Sequence, residues 1–419
     1  MKQTAVYTIT SGLHDEAAVK RLSDTFLSGI FPDGDFDYEG SDFGNFGSHA
    51  LDLIYVRTGG AEGIFKALLP ELLKKNTVLG GNRGGRIRPF YLLTSGASNS
   101  LAASLEILSF LRQQGLRGEV LHGSNEYVAG RIGLLSASAQ AIKALEGLTV
   151  GVIGKPSDWL ISSGADYEAL GKKLGLKMVD VPMSEMIDAI KGSQKPAAPA
   201  EDLGRKGRSA EVDTKVREAL PGALQVREAL KTIVAKYKLN ALTLRCFDLL
   251  TTVGNTGCLA LATMNTDGIP SSCEGDIPAL LSMMIAQAAT GRTGFQANPA
   301  RIDVNSGEIL FAHCTVPFNL VDNYCYDTHF ESGIGVGIHG DLPTGPVTVF
   351  KVSGDLGRCF AADGELCRNQ YEQNLCRTQV VLKLRPEEAQ YFLTDPIGNH
   401  HIIIPGHHAA VLRHIVDSL

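Results

Sequence analysis

No apolar run in this chain reaches the roughly 18 consecutive residues needed to span a bilayer. The N-terminal MKQTAVYTITSG has no long apolar segment behind its single lysine, so it does not read as a secretory leader. A cytoplasmic protein with no membrane partner is expected. Basic charge is short as well. With 39 Lys and Arg against 45 Asp and Glu, the net charge is −6, and the basic footprint of a nucleic-acid-binding protein is missing. No nucleic-acid partner is expected. Paired cysteines are also absent. The eight cysteines, at 246, 258, 273, 314, 325, 359, 367 and 376, contain no CxxC pair, and a chain of this size needs no disulfide framework. They are expected to be reduced thiols, mostly in the core.

What is present is ordinary globular composition, 44% hydrophobic and 20% charged. The 419 residues exceed one hydrophobic core, and a norm of about 100–200 residues per domain leads us to expect three domains. QTAVYTIT and RPFYLLTSG read as strands; SNSLAASLEILSFLRQQG follows with apolar residues at helical spacing and a glycine stop, and GEVLHG reads as the next strand. Such βαβ alternation predicts a parallel sheet covered by helices. The pattern restarts at LTVGVIG and the helix-like DYEALGKKLG. Residues 191–211, KGSQKPAAPAEDLGRKGRSAE, are poor in large apolar residues and read as a solvated insertion. From about residue 301 the texture changes to short β-type runs such as EILFAHCTVPF, GVGIHG, GPVTVFKVSG and TQVVLKL, which predict an antiparallel sheet or barrel. The expected fold class is α/β, with two parallel-sheet domains at 1–147 and 148–298 followed by a β-rich, barrel-like domain at 299–419.

SSCEGDIPALLSMM raises the first chemical question, because Glu274 and Asp276 stand at the head of an apolar run. Acids in a helix's first turn are common, since the macrodipole stabilises them by about 0.3–1 kcal/mol. The histidines add weight to a second reading. Eight of the 11 lie at or after residue 313, in three settings: LFAHCTVP around His313, YDTHFESGIG around His329, and GNHHIIIPG around His400 and His401. Imidazoles and carboxylates together suit a divalent metal ion. Their wide spacing in sequence means that any such site is assembled between domains, where small-molecule pockets also tend to lie.

CEGDIPALLSMM, FQANPARID, LFAHCTVP and GNHHIIIPG, with SGASNSLAASLEILSFLRQQG and VLHG upstream, resemble the L-fucose isomerase and L-arabinose isomerase superfamily, in its shorter fucose-isomerase-like branch. The resemblance covers nearly the whole chain. It implies two Rossmann-like domains and a β-rich domain, a divalent metal, usually manganese with cobalt or iron as alternatives, and aldose–ketose isomerisation of a sugar substrate. It also implies a homo-oligomer, trimeric or hexameric, with active sites near subunit interfaces. On this resemblance Glu274 matches the family's first acidic ligand, which also shuttles protons, and His313 matches a ligand of the arabinose isomerase branch. Asn399 and His400 match its C-terminal NH pair, with His401 as the fallback. One position departs from the pattern. The family's second acid falls about two dozen residues after the first, where this chain has Asn298.

An Asn carbonyl can ligate a hard cation but cannot act as a general base. Three readings stay open: Asp303 turns into the site as a catalytic residue, Glu274 works with Asp276 or a histidine, or the metal chemistry is altered or lost. The candidate metal ligands are Glu274, Asn298, His313 and His400. Moving a proton between C2 and C1 of an aldose through a cis-enediol calls for a Lewis acid at O1 and O2 and a carboxylate within hydrogen-bond reach. Further candidates for the substrate are Asn99, His122, Trp159, Asp248, Asp276, His329, Asn399 and His401. Asn99 equally suits a helix cap, His122 a structural role, and Trp159, the only tryptophan, an ordinary packing role. Arg245 and Asp248 are read as pocket wall, and HFESGIGVGIHG, with Glu331, as a substrate-contacting loop. The expected function is that of a metal-dependent aldose–ketose isomerase acting on a free sugar, deoxy and modified forms included. Its rivals are a non-catalytic sugar-binding or regulatory protein on the same scaffold, and an isomerase or epimerase of an acidic sugar derivative. No HExxH motif supports a metallohydrolase.

Overall fold

The computed structural model describes residues 2–78, 86–196 and 209–419, and most of the insertion expected at 191–211 lies outside them. The chain divides into two compact units, Met1–Ala144 with Ser418, and Leu145–Asp417 with Leu419.

In the first unit every residue of the strands Thr4–Ile9 and Leu51–Val56 is buried. Continuous burial marks a parallel sheet covered on both faces. The sheet has five parallel strands in the order Asp37–Gly40, Thr4–Ile9, Leu51–Val56, Phe90–Leu93 and Gly118–Leu121. Alternation sends Tyr7, Ile54 and Leu92 into one core with Phe65 and Ile107, and Val6, Leu53 and Tyr55 into another with Val128 and Ile132.

The second unit opens with a parallel sheet in the order Ser271–Cys273, Ala241–Leu244, Thr149–Ile153 and Lys177–Val181. A closed barrel of six antiparallel strands follows: Phe295–Asp303, Glu308–His313, Thr378–Lys383, Cys359–Gln370, Gly345–Val352 and His401–Pro405, the last pairing back to the first. Phe295, Ala297, Phe311, Val349, Val380 and Ile403 belong to its core. This is the expected architecture, parallel-sheet α/β followed by a β-rich barrel. The GVGIHG run is the exception, since Gly337–Asp341 pairs with Asn323–Asp327 in a separate two-stranded ribbon.

Between sheet and barrel runs the helix Ile277–Thr290, which packs on the strands Gly345–Val352 and His401–Pro405. Its ends are set locally. Asp276 Oδ1 accepts the Ala279 N–H at 2.8 Å, Pro278 sits in the first turn, and Gly291 closes the helix at φ 76°. All residues from Ile277 to Ala286 are buried, so the helix is apolar all round and its polar head lies at the sheet–barrel junction.

Candidate active site

Glu274 links the strand Ser271–Cys273 to the helix cap through a tight turn. It holds φ at 65° and Gly275 at 73°, and the turn is pinned by Gly275 N–H to Leu244 O at 3.0 Å and Ser157 N–H to Glu274 O at 2.9 Å. A left-handed backbone at a non-glycine residue is strained, and such strain gathers at functional sites. The turn aims the Glu274 side chain at two barrel residues. His313 ends the strand Glu308–His313, and His400 immediately precedes the strand His401–Pro405.

His400 Nε2 lies 3.5 Å and His313 Nε2 3.9 Å from Glu274 Oε1. The two rings stand 5.3 Å apart, and the three ligating atoms all fall within 4.8 Å of one another. Each residue is tied back on its other side. Trp159 Nε1–H donates to Glu274 Oε2 at 2.7 Å, His313 Nδ1 lies 2.9 Å from Thr315 Oγ1, and His400 Nδ1 lies 2.9 Å from Asp276 Oδ2. With those nitrogens engaged, both Nε2 atoms point inward. A histidine oriented by a carboxylate is the usual support of a metal ligand.

Charge in this cluster follows from burial and contact. Burial pushes the Glu274 carboxyl up, but the proximity and charge of His400, the charge of His313 and the Trp159 N–H together hold it at about 2. Burial also opposes ionisation of Asp276, yet Lys351 and His400 keep it well below the usual carboxylate range. Burial and then the charge of His400 lower His313 to about 3, so it is neutral and its Nε2 lone pair is available. Burial pushes His400 down, and Asp276 and Glu274 override it, raising it to about 9. In this form a proton on His400 Nε2 stands in the space between the imidazole and Glu274.

One carboxylate and two imidazoles are a donor set that suits manganese, iron, cobalt or zinc. Ser157 Oγ, Gln296 Nε2, Asn298 Oδ1 and His400 Nε2 are buried and lack hydrogen-bond partners among the described residues. Buried polar atoms are seldom left so. The residues present therefore fit a divalent cation.

The other residues singled out in the sequence divide into two groups. Trp159 stands at the site, 53% exposed, edge-on to Phe247 at 4.9 Å. His329 meets Phe247 edge-on at 5.5 Å, and burial and then Arg377 lower it to about 4. Asn298 pairs with Ala312, the neighbour of His313, on the strand face of Gln296, whose Oε1 accepts the Cys273 N–H at 2.8 Å. Asn399 is exposed beside His400. The rest are not among the three clustered residues. Asp303 is not brought to the cluster, because it sits at the far end of its strand and is held by Ser306 Oγ at 2.8 Å and Asn305 N–H at 3.0 Å. His401 points the opposite way from His400, as adjacent residues entering a strand do, and its ring packs against Phe392 with Nε2 3.1 Å from Tyr391 Oη. Asp276 is fully buried behind His400, so it supports that ring and does not face a substrate. Asp248 accepts from Arg245 Nε at 3.0 Å. In the first unit, Asn99 occupies the N-cap of the helix Ser100–Gln113 at φ 58° without a side-chain cap bond, and His122 Nδ1 lies 3.1 Å from Thr94 O.

Sequence reasoning missed Lys351, Gln296, Ser157 and Thr315. Lys351 left a signal, a lone charge at a core-facing position of VTVFKV; the other three left none.

No protein-family model matches the chain. It is 26% identical over 325 residues to the sulfoquinovose isomerases of Priestia aryabhattai and Priestia megaterium, spanning 72% of this chain and 68% of each relative. It is also 26% identical over 257 residues, 61% of this chain and 50% of the relative, to the sulfoquinovose isomerase of a Clostridium species.

Proposed function

We propose that the chain is an isomerase, an intramolecular oxidoreductase that interconverts aldose and ketose forms of an acidic sugar derivative through a cis-enediol. Sulfoquinovose, the sugar in its relatives' names, is the first substrate to try. The observation that carries this reading is the convergence of Glu274 Oε1, His313 Nε2 and His400 Nε2, each with its other polar atom already engaged. We place a divalent ion there, with manganese first and cobalt or iron as alternatives, held by these three residues and by Asn298. When bound, such an ion polarises sugar oxygens as a Lewis acid and acidifies the neighbouring C–H. Membership of the fucose and arabinose isomerase superfamily, a cytoplasmic homo-oligomer and the domain limits at 147 and 298 belong to the same proposal.

The protein's own residues then divide the work. Held at about 2, Glu274 is ionised at neutral pH and suits the role of ligand better than that of base. Proton carriage needs a carboxylate with a higher affinity. We assign that role to Glu331, an exposed residue whose carboxyl is raised above the ordinary glutamate range by partial desolvation and then by the charge of Glu274. It lies on the loop after the strand Asn323–Asp327, two residues past His329, whose ring meets Phe247, which in turn meets Trp159. Two carboxylates driven apart in this way separate into ligand and proton carrier. Trp159 covers Glu274 alone, through its indole N–H on Oε2.

Proton NMR in D2O tests the reading. Purified protein with Mn²⁺ is incubated with sulfoquinovose and with its unsulfonated parent sugar, and the C2 proton is followed. Exchange of that proton with growth of ketose, stopped by chelator, is expected for the sulfonated sugar. Metal binding without exchange on any aldose would favour the non-catalytic sugar-binding alternative.

A further inference from the structure

Lys351 is among the most buried side chains of the described residues, 1% exposed, on a barrel strand whose other residues are Gly, Pro, Val, Thr and Phe. A buried lysine is an expensive residue unless paired. Its ammonium lies 3.5 Å from both oxygens of Asp276, which is itself 0% exposed. The same carboxylate accepts the Ala279 N–H through Oδ1 and meets His400 Nδ1 through Oδ2. Three partners from three elements therefore converge on one carboxylate: the helix head, the strand Gly345–Val352 and the segment before His401–Pro405. The cap bond alone fixes Oδ1 and leaves the carboxylate free to turn about it. A cation equidistant from both oxygens removes that freedom, so Oδ2 stays aimed at His400.

We infer that Lys351 is a positioning residue of the metal site: it locks Asp276, and through Asp276 it sets the direction in which His400 presents Nε2 beside Glu274. The inference rests on the metal reading above. Lys351 touches neither ion nor substrate, and its effect passes through two side chains. It also accounts for a charge in a barrel core where an apolar residue of the same length would pack without a partner.

The test uses the full chain and Co²⁺ alone as probe, read by the visible absorption of the bound ion and by equilibrium dialysis, with folding followed by circular dichroism. Lys351→Met is expected to weaken Co²⁺ binding about tenfold to a hundredfold, as loss of an orienting partner does, and to change the absorption band. Asp276→Asn gives the second comparison. If Lys351 acts through Asp276, adding Lys351→Met to Asp276→Asn produces no further loss, and this pair relieves the buried unpaired carboxylate that could unfold the single variant. A folded Lys351→Met protein with unaltered affinity and spectrum, or a full additive loss in the double variant, overturns the inference. Failure of the unaltered protein to bind Co²⁺ overturns the metal reading, and this inference with it, by a separate result.

Discussion

Trp159 donates its indole N–H to Glu274 Oε2 at 2.7 Å while more than half of the residue stays open to solvent. It is the only tryptophan in the chain, so intrinsic emission reports on a single carboxylate. Adding Mn²⁺ to chelator-treated protein is expected to change that emission saturably, because the ion draws on the charge of the carboxylate that holds the indole. Glu274→Gln should abolish the response. A flat titration in protein shown independently to bind Mn²⁺ would place the ion away from Glu274.

Glutamine replacements separate the two carboxylates by role. Glu274→Gln keeps shape but removes the ligand charge, so Mn²⁺ binding and turnover should both fall, the latter by roughly a thousandfold or more, with the circular dichroism spectrum unaltered. Glu331→Gln should leave Mn²⁺ binding near normal and lower kcat by about a hundredfold to ten-thousandfold, the range for loss of a general acid–base group. Near-normal kcat in folded Glu331→Gln would return proton transfer to Glu274.

Much of this arrangement was legible in the residues. Asp-Ile-Pro ahead of LLSMM marks a capped helix start, and the β-type runs after residue 301, GVGIHG apart, close into the barrel they predict. Glu274, His313 and His400 stand out as acid and imidazole at the ends of apolar runs, and the structure brings them together. What could not be read depends on register. His400 and His401 are chemically identical neighbours, and only the strand's entry point decides which faces Glu274 and which packs on Phe392. Asp303 looked as available as Asn298 in NPARID, but a nine-residue strand carries it along the barrel away from the cluster. Lys351 reaches Asp276 across 75 positions of sequence, a distance no local pattern encodes.

Gly275 tests the turn itself. At φ 73° an added Cβ would sit 2.5 Å from Lys155 O and 2.8 Å from Pro156 Cα, both backbone atoms that cannot swing aside. Gly275→Ala should therefore destabilise the second unit by about 1–3 kcal/mol for the backbone strain alone, seen as a lower urea midpoint, and should displace Glu274 enough to weaken Mn²⁺ binding. Gly164→Ala, where a Cβ meets nothing within 4 Å, is the control and should change neither. Equal midpoints for the two variants would mean that the turn is more plastic than its contacts imply.

The pH dependence of the metal-free protein has two limbs. Glu274 is depressed from 4.5 to about 2, so its contribution to stability is present above about 4.5 and is lost as pH falls toward 2. His400 is raised from 6.5 to about 9, so its contribution is complete below 6.5 and is lost as pH rises through 9. His313 and His329, lowered from 6.5 to about 3 and about 4, add to the acid limb, because their contribution is present above 6.5 and is lost as pH falls below it. Melting temperature in chelator should therefore be highest near pH 6.5 and decline on both sides. His400→Asn should lack the decline between 6.5 and 9. Saturating Mn²⁺ should lift it in the unaltered protein, because the ion replaces the proton on Nε2 and gains affinity as pH rises. An alkaline limb that survives in His400→Asn would assign it to another group.

Asn298 is the point at which this chain departs from the acid pair implied by its resemblance, and its Oδ1 is buried without a partner among the described residues. Its backbone pairs with Ala312, beside His313, and its side chain shares a strand face with Gln296, which reaches the residue before Glu274. Asn298→Asp adds a charge without changing size. In chelator the new carboxylate should lower the melting temperature, since a second buried anion is then added without a cation of its own. With Mn²⁺ the sign reverses: a second anionic ligand should tighten binding about tenfold, following the dependence of hard-cation affinity on ligand charge, and the melting temperature should rise above that of the unaltered protein. The crossing of the two effects separates a ligand position from a merely buried amide, for which Asp is destabilising with or without the ion. If the variant is equally destabilised in both conditions, the donor set is Glu274, His313 and His400 alone, and the neutral residue at 298 has no part in holding the ion.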